Sequence, residues 1–124
     1  MSWQPWADNI VRSGFQSGAI CGQQGGVWAS TPGCEIKETE IRSLADGFND
    51  PTNLRSNGIL VNGIKYFALQ CDDKTLMGKK NDTGVICIKS KQAIVVGIYD
   101  SKLTAGQANI NLNTVATNLA NMGY

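Results

Sequence analysis

The sequence has 124 residues, 42% of them apolar and 17% charged, with eleven basic and ten acidic side chains and no histidine. That length fits one domain, expected to run over residues 1–124, and a domain of this size buries roughly two-thirds of its unfolded surface without help from metals or cross-links. A net charge of +1 argues against a dedicated nucleic-acid binder, and the missing imidazole excludes Ser-His-Asp and Cys-His nucleophile systems and histidine-based zinc sites.

The spacing predicts a first helix over residues 3–12, with Ser2 as N-cap, Pro5 in the first turn, Gly14 as stop, and Ala7, Ile10 and Val11 on one face. Short strands at 18–21 and 27–29 flank the hairpin-like turn Gly22-Gln23-Gln24-Gly25-Gly26. That turn lacks the Gly-Lys-Ser/Thr ending and the following helix of a phosphate loop. Ile41, Leu44, Ala45 and Phe48 recur at helical spacing and define a second helix, closed by Asn49-Asp50-Pro51. Apolar runs at 59–61 and 64–69 flank Asn62-Gly63, a strong hairpin signal because both turn residues need positive φ. Further strands at 75–77, 85–88 and 93–99 are joined by short polar loops, which favours antiparallel pairing. A last helix starts near Thr104, carries Ala108, Leu112, Val115, Leu119 and Met122 as one apolar stripe, and stops at Gly123. The expected fold is α/β of the α+β kind. A central antiparallel sheet carries the N- and C-terminal helices side by side on one face and a further helix on the other.

The start of the sequence, Met1-Ser2-Trp3-Gln4-Pro5-Trp6, shows no basic n-region and no apolar h-region. The longest apolar runs, such as 93–98, are too short to span a membrane. Cys21, Cys34, Cys71 and Cys87 form no Cys-x-x-Cys pair, so a cytoplasmic protein with reduced, mostly buried thiols is expected.

Three constellations carry chemistry. Trp3 and Trp6 share a helix face, Trp28 lies on an early strand, and Tyr124 follows a helix expected beside the first. Together the four rings can line a platform for polyproline II segments, or they can be core and cap residues. Lys65, Lys79, Lys80, Lys89 and Lys91 can gather into one basic patch for an acidic protein surface or a phosphoinositide, or line a solvated sheet rim. Asp72-Asp73 stands beside Lys74-Thr75 between two strands, which is turn chemistry before it is acid–base chemistry.

These residues resemble a known family. Met1-Ser2-Trp3-Gln4 resembles the start of profilins, and Gly25-Gly26-Val27-Trp28-Ala29 is similar to their Gly-x-x-Trp-Ala strand. Gly63-Ile64-Lys65-Tyr66 resembles their central hairpin and Met77-Gly78-Lys79-Lys80 their Gly-Lys-Lys element. Residues 93–99, Gly106-Gln107-Ala108-Asn109, Leu119 and Gly123-Tyr124 complete the series in family order. The short loops resemble the amoebal and plant branches.

The resemblance implies a profilin-like fold and a binding protein without enzymatic activity or cofactor. Its implied partners are monomeric actin, proline-rich segments of actin-assembly factors, and phosphatidylinositol 4,5-bisphosphate. It implies a monomer in the cytoplasm, at the cytoskeleton and cell cortex. By the same resemblance Trp3, Trp6, Trp28, Leu119 and Tyr124 bind polyproline, and Lys65, Lys79, Lys80, Gly106 and Asn109 face actin. Lys79, Lys80, Lys89 and Lys91 are the phosphoinositide candidates. Two departures touch the polyproline site: Trp6 and Asn118 stand where the family usually has tyrosine and tyrosine or histidine. Losing one aromatic wall weakens such binding by on the order of 1 kcal/mol. Thr114 and Ile110 replace charged residues of relatives on the last helix, which implies slower association with actin, not its loss. Two competing readings are a sensor or trafficking domain of similar architecture, with its aromatics scattered or buried, and an enzyme built on Asp72 and Asp73.

Overall fold

The computed structural model describes residues 3–124, so the expected N-cap Ser2 lies outside the described residues. The elements run α1 (Gln4–Arg12), β1 (Ser17–Gly22), β2 (Val27–Ser30), α2 (Glu38–Asn49), α3 (Thr52–Asn57), β3 (Ile59–Val61), β4 (Ile64–Cys71), β5 (Thr75–Lys80), β6 (Thr83–Lys89), β7 (Ala93–Tyr99) and α4 (Ala105–Asn121). The seven strands form one sheet in the order β2-β1-β7-β6-β5-β4-β3, every neighbour antiparallel.

Strand alternation sorts the core onto two faces. Ile20, Ile86, Ile88 and Val95 pack with Ile10 of α1 and with Leu112, Val115 and Leu119 of α4. Ala19, Val85, Cys87 and Val96 pack with Ile41, Leu44 and Phe48 of α2 and Leu54 of α3. β7 lies between these layers and is buried at every position, as its unbroken apolar run requires. The Asn111 amide donates to the Ser13 carbonyl at 2.8 Å, tying α4 to the end of α1. Among the described residues no helix is long and apolar enough to cross a membrane.

Helix α3 was not expected. Asp50 starts it by accepting from the Thr52 amide at 3.1 Å and its hydroxyl at 2.7 Å, and these bonds hold the Asp50 carboxyl below its ordinary range. With six residues and Leu54 alone buried, it has too little periodicity to read. Two apolar stripes are also shorter than expected. Val11 is 39% exposed because α1 buries only Ala7 and Ile10, and Met122 is 47% exposed because it caps α4 beyond the last buried turn.

The β3–β4 turn carries Asn62 and Gly63 at φ of 57° and 72°, the conformation the Asn-Gly pair demands. It is anchored from an unexpected quarter. Glu40, buried in the first turn of α2, accepts from the amides of Asn62 at 3.1 Å, Gly63 at 2.8 Å and Lys37 at 3.0 Å. One carboxylate therefore joins the start of α2 to the hairpin. All four cysteines are buried and free. Burial pushes the Cys21 thiol up to about 12 and Cys34 to about 11.

Candidate functional site

Helix α4 runs from one end of the sheet to the other, and its 17 residues span about 25 Å. Its C-terminal end meets an aromatic corner. Trp3 caps α1, Trp28 lies on the edge strand β2, and Tyr124 follows α4. The ring centroids of Trp3 and Trp28 are 4.9 Å apart, those of Trp3 and Tyr124 4.7 Å with planes at 82°, and those of Trp28 and Tyr124 6.2 Å at 86°. The two Tyr124 contacts are edge-to-face and the Trp3–Trp28 planes are tilted by 34°, geometries that favour a fixed relative orientation of the rings.

The backbone sets each ring in place. The Gln4 side chain donates to the Ser30 carbonyl at 3.0 Å and pins α1 to β2. The Tyr124 amide donates to the Leu119 carbonyl at 3.1 Å across Gly123, which turns at φ +96°. The Tyr124 backbone oxygen accepts from the Gln92 amide at 2.5 Å and the Ser90 hydroxyl at 2.8 Å. Trp28 lies against Gly22, where an added Cβ would sit 2.8 Å from the indole nitrogen. The rings are half-buried, and among the described residues no hydrogen bond uses the indole N–H of Trp3, Trp6 or Trp28 or the phenol of Tyr124.

Two of the expected groove residues stand differently. Trp6 is half-buried against the core of its face but makes no ring contact with the other three. Leu119 is fully buried beneath the corner, so it supports Tyr124 from below and offers no surface to a ligand. Asn118 is exposed.

The lysines do not form one patch. The register Lys80↔Thr83 and Thr75↔Ile88 places Lys79 and Lys80 at one end of the β5–β6 hairpin and Lys89 and Lys91 at the other, roughly 20 Å away at ~3.3 Å per residue. The Lys79 end adjoins the start of α4, because Gly84 pairs with Tyr99 just before the loop into that helix. Gly106 is exposed there and Asn109 half-buried. Helix α4 packs over β6 and β7 with Met77 of β5 at its margin, and leaves side chains of β3 and β4 exposed on that face. Lys65 pairs across from Leu60, and Phe67 across from Lys79. Phe67 is 73% exposed, Leu69 54% beside a break in β4–β5 register, and Ile110 on α4 63%. Sequence reading missed these apolar residues, since β4 is apolar on both faces and reads as doubly buried.

Asp72 accepts from the amides of Lys74 at 2.9 Å and Thr75 at 2.7 Å and from the Gln70 side chain at 3.1 Å, which holds its carboxyl below the ordinary range. It serves the turn.

The Profilin family model matches residues 1–124. The chain belongs to the profilin family. It is 36% identical over 126 residues to profilin-1 of Dictyostelium discoideum and 32% to the profilin of Saccharomyces cerevisiae, with 100% of both chains covered in each case. Its structure superposes on Acanthamoeba castellanii profilin II with a TM-score of 0.93 at 33% identity, covering 99% of this chain and 100% of that one. It also shares its fold with mouse profilin IIa, solved in complex with a double repeat from the FH1 domain of mDia1, at a TM-score of 0.83, 20% identity and full coverage of both chains. The central antiparallel sheet between helices, expected from the sequence, is thus the profilin fold.

Proposed function

We propose that this profilin regulates actin polymerisation by binding monomeric actin on the open sheet face and a proline-rich segment in the aromatic corner. The observation that carries the reading is the Trp3–Trp28–Tyr124 cluster with unpartnered ring donors. A polyproline II ligand is already extended, so it loses little chain entropy on docking. Its carbonyls, which lack internal partners, accept from indole and phenol groups. The open face suits a folded protein: Phe67 and Leu69 supply apolar area, while Lys65 and Lys79 beside them, with Lys80, attract an acidic surface. Gly106 and Asn109 border it from α4.

The phosphoinositide reading divides in two, with Lys79 and Lys80 overlapping the actin face and Lys89 and Lys91 near the aromatic end. Phosphatidylinositol 4,5-bisphosphate at the first pair competes with actin. The protein acts as a cytoplasmic monomer and as a binding module, not a catalyst.

The test is tryptophan fluorescence during titration with decaproline, with Trp3→Ala as control. A saturable change that the variant loses is expected. No change up to millimolar peptide overturns the polyproline reading. Actin bound to the wild type is expected to stay bound under excess decaproline, and competition between them refutes the two-site arrangement.

A further inference from the structure

Lys91 stands on the turn between β6 and β7, at a corner shared by two cavities. One, of about 510 Å³, opens beside Trp28 and is lined by Gln23, Gln24 and Gln92. The other, of about 550 Å³, runs beside Lys74 and the C-terminal half of α4, past Asn113 and Thr117. Neither lining contains a carboxylate. Lys74 and Lys89 also line the second cavity, whereas the cation lining the first is Lys91. Lys89 also lines a cleft with Asp46 on the α2 face, and the Asp72 carboxylate is held by the amides of Lys74 and Thr75. Among the described residues the ion pair present is Arg42–Glu38 on α2. Lys91 is exposed and, among the described residues, takes part in no ion pair, and its turn is bonded through Ser90 and Gln92 to the backbone of Tyr124. The backbone that carries it is therefore held relative to the three rings.

A proline run offers carbonyls but no N–H and no charge. The Trp28 cavity offers something such a run does not use: a cation, with the Gln24 amide beside it, while the Gln23 and Gln92 amides already donate to the Ser90 and Gly123 carbonyls. We infer that the ligand of the aromatic corner carries an acidic residue just outside its proline run, where it leaves past Trp28, and that Lys91 selects that residue. The inference rests on the polyproline reading of the corner and adds a direction and a flank preference to it.

The experiment titrates wild type and Lys91→Ala with three peptides: decaproline, and decaproline with two glutamates at its N-terminal or its C-terminal end. One acid-flanked peptide is expected to bind the wild type about fivefold tighter than decaproline at ~20 mM salt, with the advantage falling below about twofold at ~0.5 M. The ratio of acid-flanked to plain affinity is expected to fall to about one in Lys91→Ala and to invert in Lys91→Glu. Equal binding of all three peptides by the wild type overturns the inference alone, as does a ratio unchanged in Lys91→Ala. Failure of every peptide to change the fluorescence removes the polyproline reading and this one with it. Lys91-dependent binding of inositol 1,4,5-trisphosphate with no flank preference makes the corner a headgroup site and also overturns the inference.

Discussion

The aromatic corner and the open sheet face sit at opposite ends of α4 and are built on opposite plans. At the corner, three rings from three elements touch one another and are fixed by backbone hydrogen bonds to β2, to the β6–β7 turn and to the last turn of α4. On the sheet face, Phe67, Leu69 and Ile110 are exposed singly, and the strands beneath them hold position without their side chains. The first plan suits a thin, stiff ligand that brings little area of its own, so preorganisation supplies the affinity. The second suits a broad folded partner that completes the packing. Damage at the corner should therefore spread through neighbouring rings, whereas damage on the face should stay local.

The largest expected effect breaks the face through its support. Glu40→Ala removes the carboxylate shared by Lys37, Asn62 and Gly63, and should lower stability by about 2–3 kcal/mol in urea unfolding. At urea concentrations below its transition it should weaken actin binding more than decaproline binding, because the β3–β4 hairpin carries Lys65. Next, Trp3→Ala deletes both of that ring's contacts and should weaken decaproline by about 30-fold, or ~2 kcal/mol, in a fluorescence titration that leaves actin affinity within about twofold. Phe67→Ala reverses that pattern: about tenfold weaker actin binding by co-sedimentation competition, unchanged decaproline binding, and a stability change within about 0.5 kcal/mol because the ring is 73% exposed. The smallest effect sharpens the contrast. Asn118→Tyr restores an aromatic wall on the exposed flank of α4 and should tighten decaproline by about fivefold with no effect on actin.

The sequence made the frame legible wherever a signal was local. The Asn62-Gly63 turn, the four-and-three spacing of α4 and the apolar run of β7 each specify their own conformation. The ring cluster was legible in part, because side-by-side terminal helices bring Trp3 and Tyr124 together. Leu119 was not, since a stripe of apolar residues does not say which of them reaches the surface. Which of the two lysine arrangements holds was not legible for want of register: positions 79, 80, 89 and 91 are near in sequence, and only the pairing of β5 with β6 shows that they lie at two ends of a hairpin. Glu40 was invisible because an acid in a first helical turn reads as a solvated charge, while its partners Asn62 and Gly63 lie 22 and 23 residues away. Phe67 and Leu69 could be recognised as exposed only once the reach of α4 over β6 and β7 was known.

The four buried thiols give the protein a built-in clock. Burial holds the Cys21 thiol up at about 12 and pushes the Cys87 thiol well above its ordinary value, so both favour the protonated form. An alkylating reagent therefore finds almost nothing to attack until the sheet opens, so the rate of modification measures opening, cysteine by cysteine, under native conditions. The same silence gives a clean background: a cysteine introduced beside Lys91 or in place of Ile110 would be the fast-reacting site, and a dye attached there would watch one end of α4 while the other end binds.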